Sequence, residues 1–524
     1  MADFDMNRRG LLKGTGLGAF ALAAPLGGLM TSQARAETGA NGEQTSLADS
    51  PYGPVAPVND LETGLPLLQL PTGFTYRTIS WRGDLMSDGQ RVSPGHDGMA
   101  VVRVLNGRAP EHILIRNHEI STGTAQTVVG NPGGVYNPSS TRGGGCSMLR
   151  VRNGKLVEHR QAIAGTAQNC AGGLSLWGTW LTCEETNINA SASTLAHGYV
   201  FDVNPDPSKT VAQPIVGMGR FAHEANASDP VTGYVYLTED ARPVSGFYRY
   251  KPNSQIRAYG ELAKGGTLQM AKVVGVDKAN LLALRRDDIP SDIGHVGESL
   301  QIEWVDINNP DASASSYVED GANNPRPSSS QSAAGPFVEG RAKGALRMSR
   351  GEGIWWDARS NSFYLVDTAF GYGGTTAGNG LGCVWAYTPS RTNPDIGTLT
   401  LVYASSTSVV GNNPDNITVS PSGGVLYCED GGTRTDQFGT GMRMMGLTAQ
   451  GEVYIFAKNN IQLSSAQLSA MGRTGHPFYP GAGDYRNSEF AGACFDPTGR
   501  VLYVNTQAPG ITFAISGPWA RGNL

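Results

Sequence analysis

Zinc-type cysteine spacing is missing. The six cysteines, at 146, 170, 183, 383, 428 and 494, form no Cys-x-x-Cys pair, which excludes a zinc-ribbon type of site. Charge is scarce as well. Charged residues make up 16 % of the chain, 40 basic against 45 acidic, with no basic patch, so the sequence offers no nucleic-acid surface. Beyond the first forty residues no stretch reaches the ~20 apolar residues that a membrane-spanning helix needs. Long helices are disfavoured too, because 70 glycines and 30 prolines punctuate the 524 residues. That profile belongs to an all-β chain of many short strands joined by tight turns. Most of the cysteines lie in apolar, strand-like runs, where a buried free thiol is the ordinary reading.

The N-terminus reads as an address. Asn7-Arg8-Arg9-Gly10-Leu11-Leu12-Lys13 carries a twin-arginine pair, a weakly apolar run extends from Gly14 to Met30, and Ala34-Arg35-Ala36 supplies a small-residue cleavage site. The apolar run is Gly-rich and too short for a membrane anchor. The expected division is a twin-arginine signal peptide over 1–36, an N-terminal extension over 37–70 and one large domain over 71–524. Twin-arginine machinery moves folded chains, which suits a protein that takes up metal before leaving the cytoplasm. The expected location is periplasmic or secreted.

Four segments resemble one another. Asp229-Pro230-Val231-Thr232-Gly233 leads into Val235-Tyr236-Leu237, and Asp357 to Ser362 leads into Phe363-Tyr364-Leu365. Ser420-Pro421-Ser422-Gly423 leads into Val425-Leu426-Tyr427, and Asp496-Pro497-Thr498-Gly499 into Val501-Leu502-Tyr503. Each reads as a turn followed by a Tyr-centred strand. Further copies are expected at Ile113–Arg116 and Trp180–Cys183, and a degenerate one around Leu300 to Val305. A repeat of about 60 residues with several strands in it predicts a β-propeller of six or seven blades with loop or subdomain insertions. A sandwich or a solenoid is the alternative.

The strand of each copy ends in acid: Asn117-His118-Glu119, Cys183-Glu184-Glu185, Thr238-Glu239-Asp240, Val366-Asp367 and Cys428-Glu429-Asp430. The last copy departs from this with Asn505-Thr506-Gln507. In a propeller, equivalent strand ends meet at one mouth of the central channel, and such a cluster of anions calls for bound cations. Any single pair is equally at home on a solvated turn; the recurrence is what points to metal. Arg350, in Arg350-Gly351-Glu352-Gly353-Ile354-Trp355, has the planar fork that phosphate recognition needs, although Arg-x-Glu by itself is a common salt bridge. His118 and His223 read singly as structural, and Trp355-Trp356 as core or channel wall.

Taken in order, Asn117-His118-Glu119, Cys183-Glu184-Glu185, Arg220-Phe221-Ala222-His223-Glu224, Glu239-Asp240 and Arg350-Gly351-Glu352-Gly353-Ile354-Trp355 resemble the PhoX family of alkaline phosphatases. The resemblance implies a β-propeller that hydrolyses phosphate monoesters with a cluster of iron and calcium, a cysteine thiolate being among the iron ligands. Carried over, it implies Cys183 as the iron ligand and Glu119, Glu184, Glu239 and Glu352 as metal-binding carboxylates. Glu185, Glu224 and Glu429 are implied as ligands or their supporting partners, and Arg350 with Glu352 as the catalytic pair, Arg350 contacting the phosphate. The expected partners are small phosphate esters and the export machinery, for a monomer. The segments 253–343 and 434–487 match none of these motifs. A calcium-dependent lactonase, a phytase-like hydrolase and a non-catalytic propeller module are the competing readings.

Overall fold

A computed structural model describes residues 39–524 apart from 108–109, 122–133, 139–142, 256–257, 288–290, 319–330 and 449. The twin-arginine segment lies outside the described residues. The regular structure of the described chain is almost all strand, with two short α-helices, Gly335–Ala342 and Ser465–Ala470. No helix in it is long and apolar enough to cross a membrane.

The turn signals do what their chemistry suggests. The Asp229 carboxylate accepts from Val231 N (2.8 Å) and Thr232 Oγ1 (2.7 Å), and the Asp496 carboxylate from Thr498 N (3.0 Å), Arg500 N (2.8 Å) and Val501 N (2.7 Å). These side-chain-capped turns reverse the chain between paired strands. Six antiparallel pairs result. The inner strands are His96–Leu105, Asn169–Leu174, His223–Ser228, Gly351–Asp357, Pro414–Val419 and Phe490–Phe495. Their second strands are, in turn, Glu111–His118, Trp180–Glu184, Val235–Glu239, Ser362–Asp367, Val425–Glu429 and Val501–Thr506. Each inner strand packs beside the next, and Phe490–Phe495 returns to His96–Leu105, so the six close a circle. This is a propeller.

Closure uses both ends of the chain: Thr75–Trp81 pairs with Ile511–Ser516 to complete the last sheet. The extension is built in as well, Val55–Val58 and Leu68–Pro71 continuing the fifth sheet beyond Val453–Asn459. One expectation is corrected here. The segment around Leu300 to Val305 is not another copy; Ser299–Ile307 is an outer strand between Gly266–Val273 and Gly397–Ala404, and it fuses the third and fourth units into one nine-stranded sheet. Its burial alternates irregularly at the edge of the molecule, and its apolar residues imitate the second strand of a unit.

Close approach of the units depends on small residues. A Cβ on Gly173 would lie 1.8 Å from the carbonyl oxygen of Asn226 in the next unit, so only glycine fits. Beneath the mouth the channel narrows to a cavity of about 20 Å³, lined by residues including Gly98, Gly172, Gly353 and Trp355, room for no more than a water molecule. Trp355 packs against three separate hydrophobic clusters, which makes it the channel wall expected from the sequence.

Candidate metal centre

All six inner strands carry the same irregularity. Three inner-strand steps face two on the partner between His96 and Met99, Asn169 and Gly172, His223 and Asn226, Gly351 and Ile354, Pro414 and Ile417, and Ala491 and Cys494. A bulge re-aims a side chain and often stands next to a functional site. The first residue inside each bulge is Asp97, Cys170, Glu224, Glu352, Asp415 and, in the sixth unit, Gly492. The residues just beyond four of the second strands are Glu119, Glu185, Asp240 and Asp430, with Thr368 as the fourth unit's counterpart. In the sixth unit Gln507 takes up the role, its amide donating to Glu119 and, at 3.3 Å, to Asp97 Oδ2.

Eight of these side chains, with Glu489 just before the sixth inner strand, assemble into four triads whose donor atoms lie within 4.8 Å of one another: Asp97–Glu119–Cys170, Cys170–Glu185–Glu224, Glu224–Glu352–Asp415 and Asp415–Asp430–Glu489. Neighbouring triads share Cys170, Glu224 and Asp415, so the set is a continuous chain of donors. Two carboxylates about 4 Å apart repel by about 4 kcal/mol at an effective dielectric of about 20. Several such pairs would consume the whole stability of a typical domain, about 5–15 kcal/mol. Without cations the group must therefore hold protons. Burial, followed by mutual repulsion, raises Asp97, Glu185, Glu224, Glu352 and Glu489 well above the usual carboxylate range and pushes Asp415 up to about 7.

Cys170 belongs to the same system. Its thiol donates to Glu224 Oε1 at 3.1 Å, and burial, then the charges of Asp97 and Glu224, keep it protonated. Asp97 Oδ1 and Glu224 Oε2 are buried and accept no hydrogen bond. Orphaned buried oxygens beside a thiol fit metal ions: cations would satisfy them, discharge the thiol and remove the repulsion.

Arg350 is the cation of the ring. Its backbone sits at φ 62°, a strained position for a side chain of this size, held by Arg350 N to Ala241 O (3.2 Å) and Thr368 N to Arg350 O (2.9 Å). Its guanidinium grips Asp240 at two points, Nε to Oδ1 at 2.8 Å and Nη2 to Oδ2 at 3.0 Å. Nη2 lies 2.6 Å from Glu352 Oε1, and Nη1 lies 3.9 Å from Asp430. Glu352 is the main reason that Arg350 holds its proton more tightly than usual. The arginine side chain is 22 % exposed and Glu352 2 %, so the guanidinium stands on the open side of the acids.

The structure brings together Glu119, Glu185, Glu224, Glu352 and Arg350 from the sequence expectations, and it places four others outside the triads. Glu184 is buried away from the triads, accepting from Ala167 N (2.8 Å), His197 Nδ1 (2.6 Å) and Gly198 N (2.8 Å). Glu239 accepts from Gly246 N (2.9 Å) and Tyr248 Oη (2.7 Å), and burial pushes it up to about 8. Glu429 is bound by Arg443 through Nε (2.6 Å) and Nη2 (2.8 Å). Cys183 packs in a hydrophobic cluster against the next unit and meets Asn226 Nδ2 at 3.3 Å. For the three glutamates the reason is the two-residue period of a strand: side chains one position apart face opposite ways. Of each terminal pair, the outer acid reaches the mouth and the inner one is tied to its own unit. His118 and His223 are structural as expected, bonded to Pro94 O (2.9 Å) and Gly219 O (3.0 Å).

The donors that sequence reasoning passed over, Asp97, Cys170, Asp415 and Glu489, all stand on or beside inner strands. A signal was present: an acid or thiol followed by a small residue, as in Asp97-Gly98, Cys170-Ala171, Glu224-Ala225 and Glu352-Gly353.

Comparison with known proteins follows from this geometry. The sequence profile of the family described as "Alkaline phosphatase PhoX" matches residues 50–162 and 143–510. No curated protein sequence matches the chain. Among solved structures, Pseudomonas fluorescens PhoX in complex with vanadate, a transition-state analogue, is similar with a TM-score of 0.60 and 19 % identity, over 91 % of this chain and 99 % of that one. A gluconolactonase from Xanthomonas campestris follows at a TM-score of 0.33 and 10 % identity, over 89 % and 98 %. With the family profile spanning nearly the whole described chain and a propeller whose mouth gathers acids, a thiol and an arginine, the protein belongs to the PhoX family of alkaline phosphatases.

Proposed function

We propose that this phosphatase hydrolyses phosphate monoesters at the four linked triads, with iron held by the thiol-bearing pair and calcium by the all-carboxylate pair. The observation that carries the proposal is the unbroken run of donors from Asp97 to Glu489 beside Arg350. A soft thiolate selects iron over calcium, while flexible sets of carboxylate oxygens suit calcium. The bound cations would polarise the phosphoryl oxygens and offset the charge of in-line displacement.

The chain's own residues supply the rest. Asp97, Glu119, Cys170, Glu185, Glu224, Glu352, Asp415, Asp430 and Glu489 would hold the ions, and Glu352 also anchors Arg350. Asp240 orients the arginine fork from behind, leaving Nη1 toward the opening to grip phosphoryl oxygens. Trp355, packed below against three hydrophobic clusters, narrows the channel beneath the site. The vanadate complex of the Pseudomonas fluorescens protein supports phosphoryl transfer as the chemistry. The twin-arginine pair Arg8-Arg9 supports export to the periplasm or beyond, by a monomer acting on small esters.

The deciding experiment is hydrolysis of a chromogenic phosphate monoester at alkaline pH, before and after chelation, with metal analysis of the purified protein. Turnover is expected to need calcium and to vanish in Glu352→Ala. A folded, iron- and calcium-loaded protein with no turnover would refute the monoesterase reading. Retention of Arg8→Lys/Arg9→Lys protein in the cytoplasm tests the export route.

A further inference from the structure

Asn117 is fully buried and its carboxamide is saturated. Nδ2 donates to the carbonyls of Cys170 (3.0 Å) and Ala171 (2.7 Å), and Oδ1 accepts from Trp180 Nε1 (2.9 Å), Thr182 Oγ1 (2.9 Å) and Cys146 Sγ (3.0 Å). The indole N–H only donates, so the amide can stand only one way round. Cys170 and Ala171 are the two residues of the second unit's bulge, where the regular ladder lapses between Asn169 and Gly172. Asn117 belongs to the preceding unit, so a side chain reaches across the seam to hold a carbonyl that the bulge has freed.

The device recurs at other ring residues. Asn505 Nδ2 donates to Asp97 O at 2.6 Å from the sixth unit, and Thr238 Oγ1 donates to Glu352 O from the third. In each case the clamped carbonyl belongs to the residue whose side chain enters the mouth. Among the described residues, the bulge of Cys170 is the one whose two carbonyls are both held by one side-chain amide.

We infer that Asn117 is a positioning residue for the Cys170 thiol: by fixing both bulge carbonyls it aims Sγ at the two triads that share it, without touching metal or substrate itself. The inference rests on the reading of Cys170 as a metal ligand, and the test separates the two.

Metal-free full-length protein is titrated with cobalt(II), whose thiolate charge-transfer absorption reports coordination by sulfur. Cys170→Ser is expected to abolish the band, and Cys183→Ser to leave it intact. Asn117→Asp keeps size and acceptors but removes both donors; it should weaken cobalt binding at the thiol about 10–100-fold, as loss of an outer-shell partner does. Near-UV circular dichroism should stay native. Asn117→Ser, which keeps one donor, should fall between. A full-strength band at wild-type affinity in folded Asn117→Asp overturns the inference. If that variant does not fold, wild-type affinity in Asn117→Ser overturns it instead. A wild-type band in Cys170→Ser overturns the ligand reading, and the inference with it.

Discussion

Two sets of acids one residue apart behave as opposites. Glu184, Glu239 and Glu429 are buried and fully bonded within their own units, while Glu185, Asp240 and Asp430 face the mouth and one another. Side-chain chemistry is nearly the same in both sets; only the side of the strand differs. The inner set braces the sheets that hold the outer set in mutual repulsion.

The largest separation between the sets is expected on metal removal. Excess chelator should abolish turnover and lower the melting temperature, since ligand at a thousandfold above Kd stabilises the fold by about 4 kcal/mol per site. The inner set holds no ion, so chelator should lower the melting temperature of Glu429→Ala as much as that of wild type; equal melting with and without chelator would overturn the contrast. That variant leaves Arg443 buried without its partner, and urea unfolding should show a loss of about 3–5 kcal/mol. Next in size, Arg350→Lys keeps the charge and loses the fork on Asp240; kcat should fall about 10²–10³-fold with little change in unfolding.

A smaller contrast concerns thiols. Cys183→Ala removes a buried side chain from packing alone and should cost about 1–2 kcal/mol with activity kept, as large-to-small core changes do at the low end. Loss of iron in that variant would return the ligand role to Cys183.

The smallest effect lies far from the mouth. Asp202 is bonded by Thr179, Trp177 Nε1 (3.3 Å) and Gly260 N (3.0 Å), yet burial pushes its carboxyl up to about 6. A carboxyl raised by folding contributes stability that is complete below its unfolded value near 3.8 and is lost as pH rises through the folded one. Wild type should therefore lose more stability between pH 4 and 6 than Asp202→Asn, read as melting temperature against pH. Equal slopes would remove Asp202 from the account.

Much of the fold was legible because turns and strands obey local rules. Asp229 and Asp496 capped their turns as their sequence context implied, and the copies at Ile113–Arg116 and Trp180–Cys183 are second strands. Leu300 to Val305 misled because an outer strand and the second strand of a unit have similar compositions. The site was legible only by half. Strand-end acids were visible as a repeat, but which member of each pair faces the mouth depends on a phase that a turn one residue longer would reverse. The bulges were invisible, since a bulge is a relation between two strands and neither strand announces it alone.

By itself, then, the order of residues determined an all-β repeat protein with a recurring acid at each strand end, because turn chemistry and β propensity act over a few neighbours. Only the tertiary structure decided that Cys170 rather than Cys183 joins the acids, and that Asp97, Asp415 and Glu489 complete them. Those residues come from units hundreds of positions apart, and closing the circle of inner strands, each with its bulge, is what brings their side chains to one mouth.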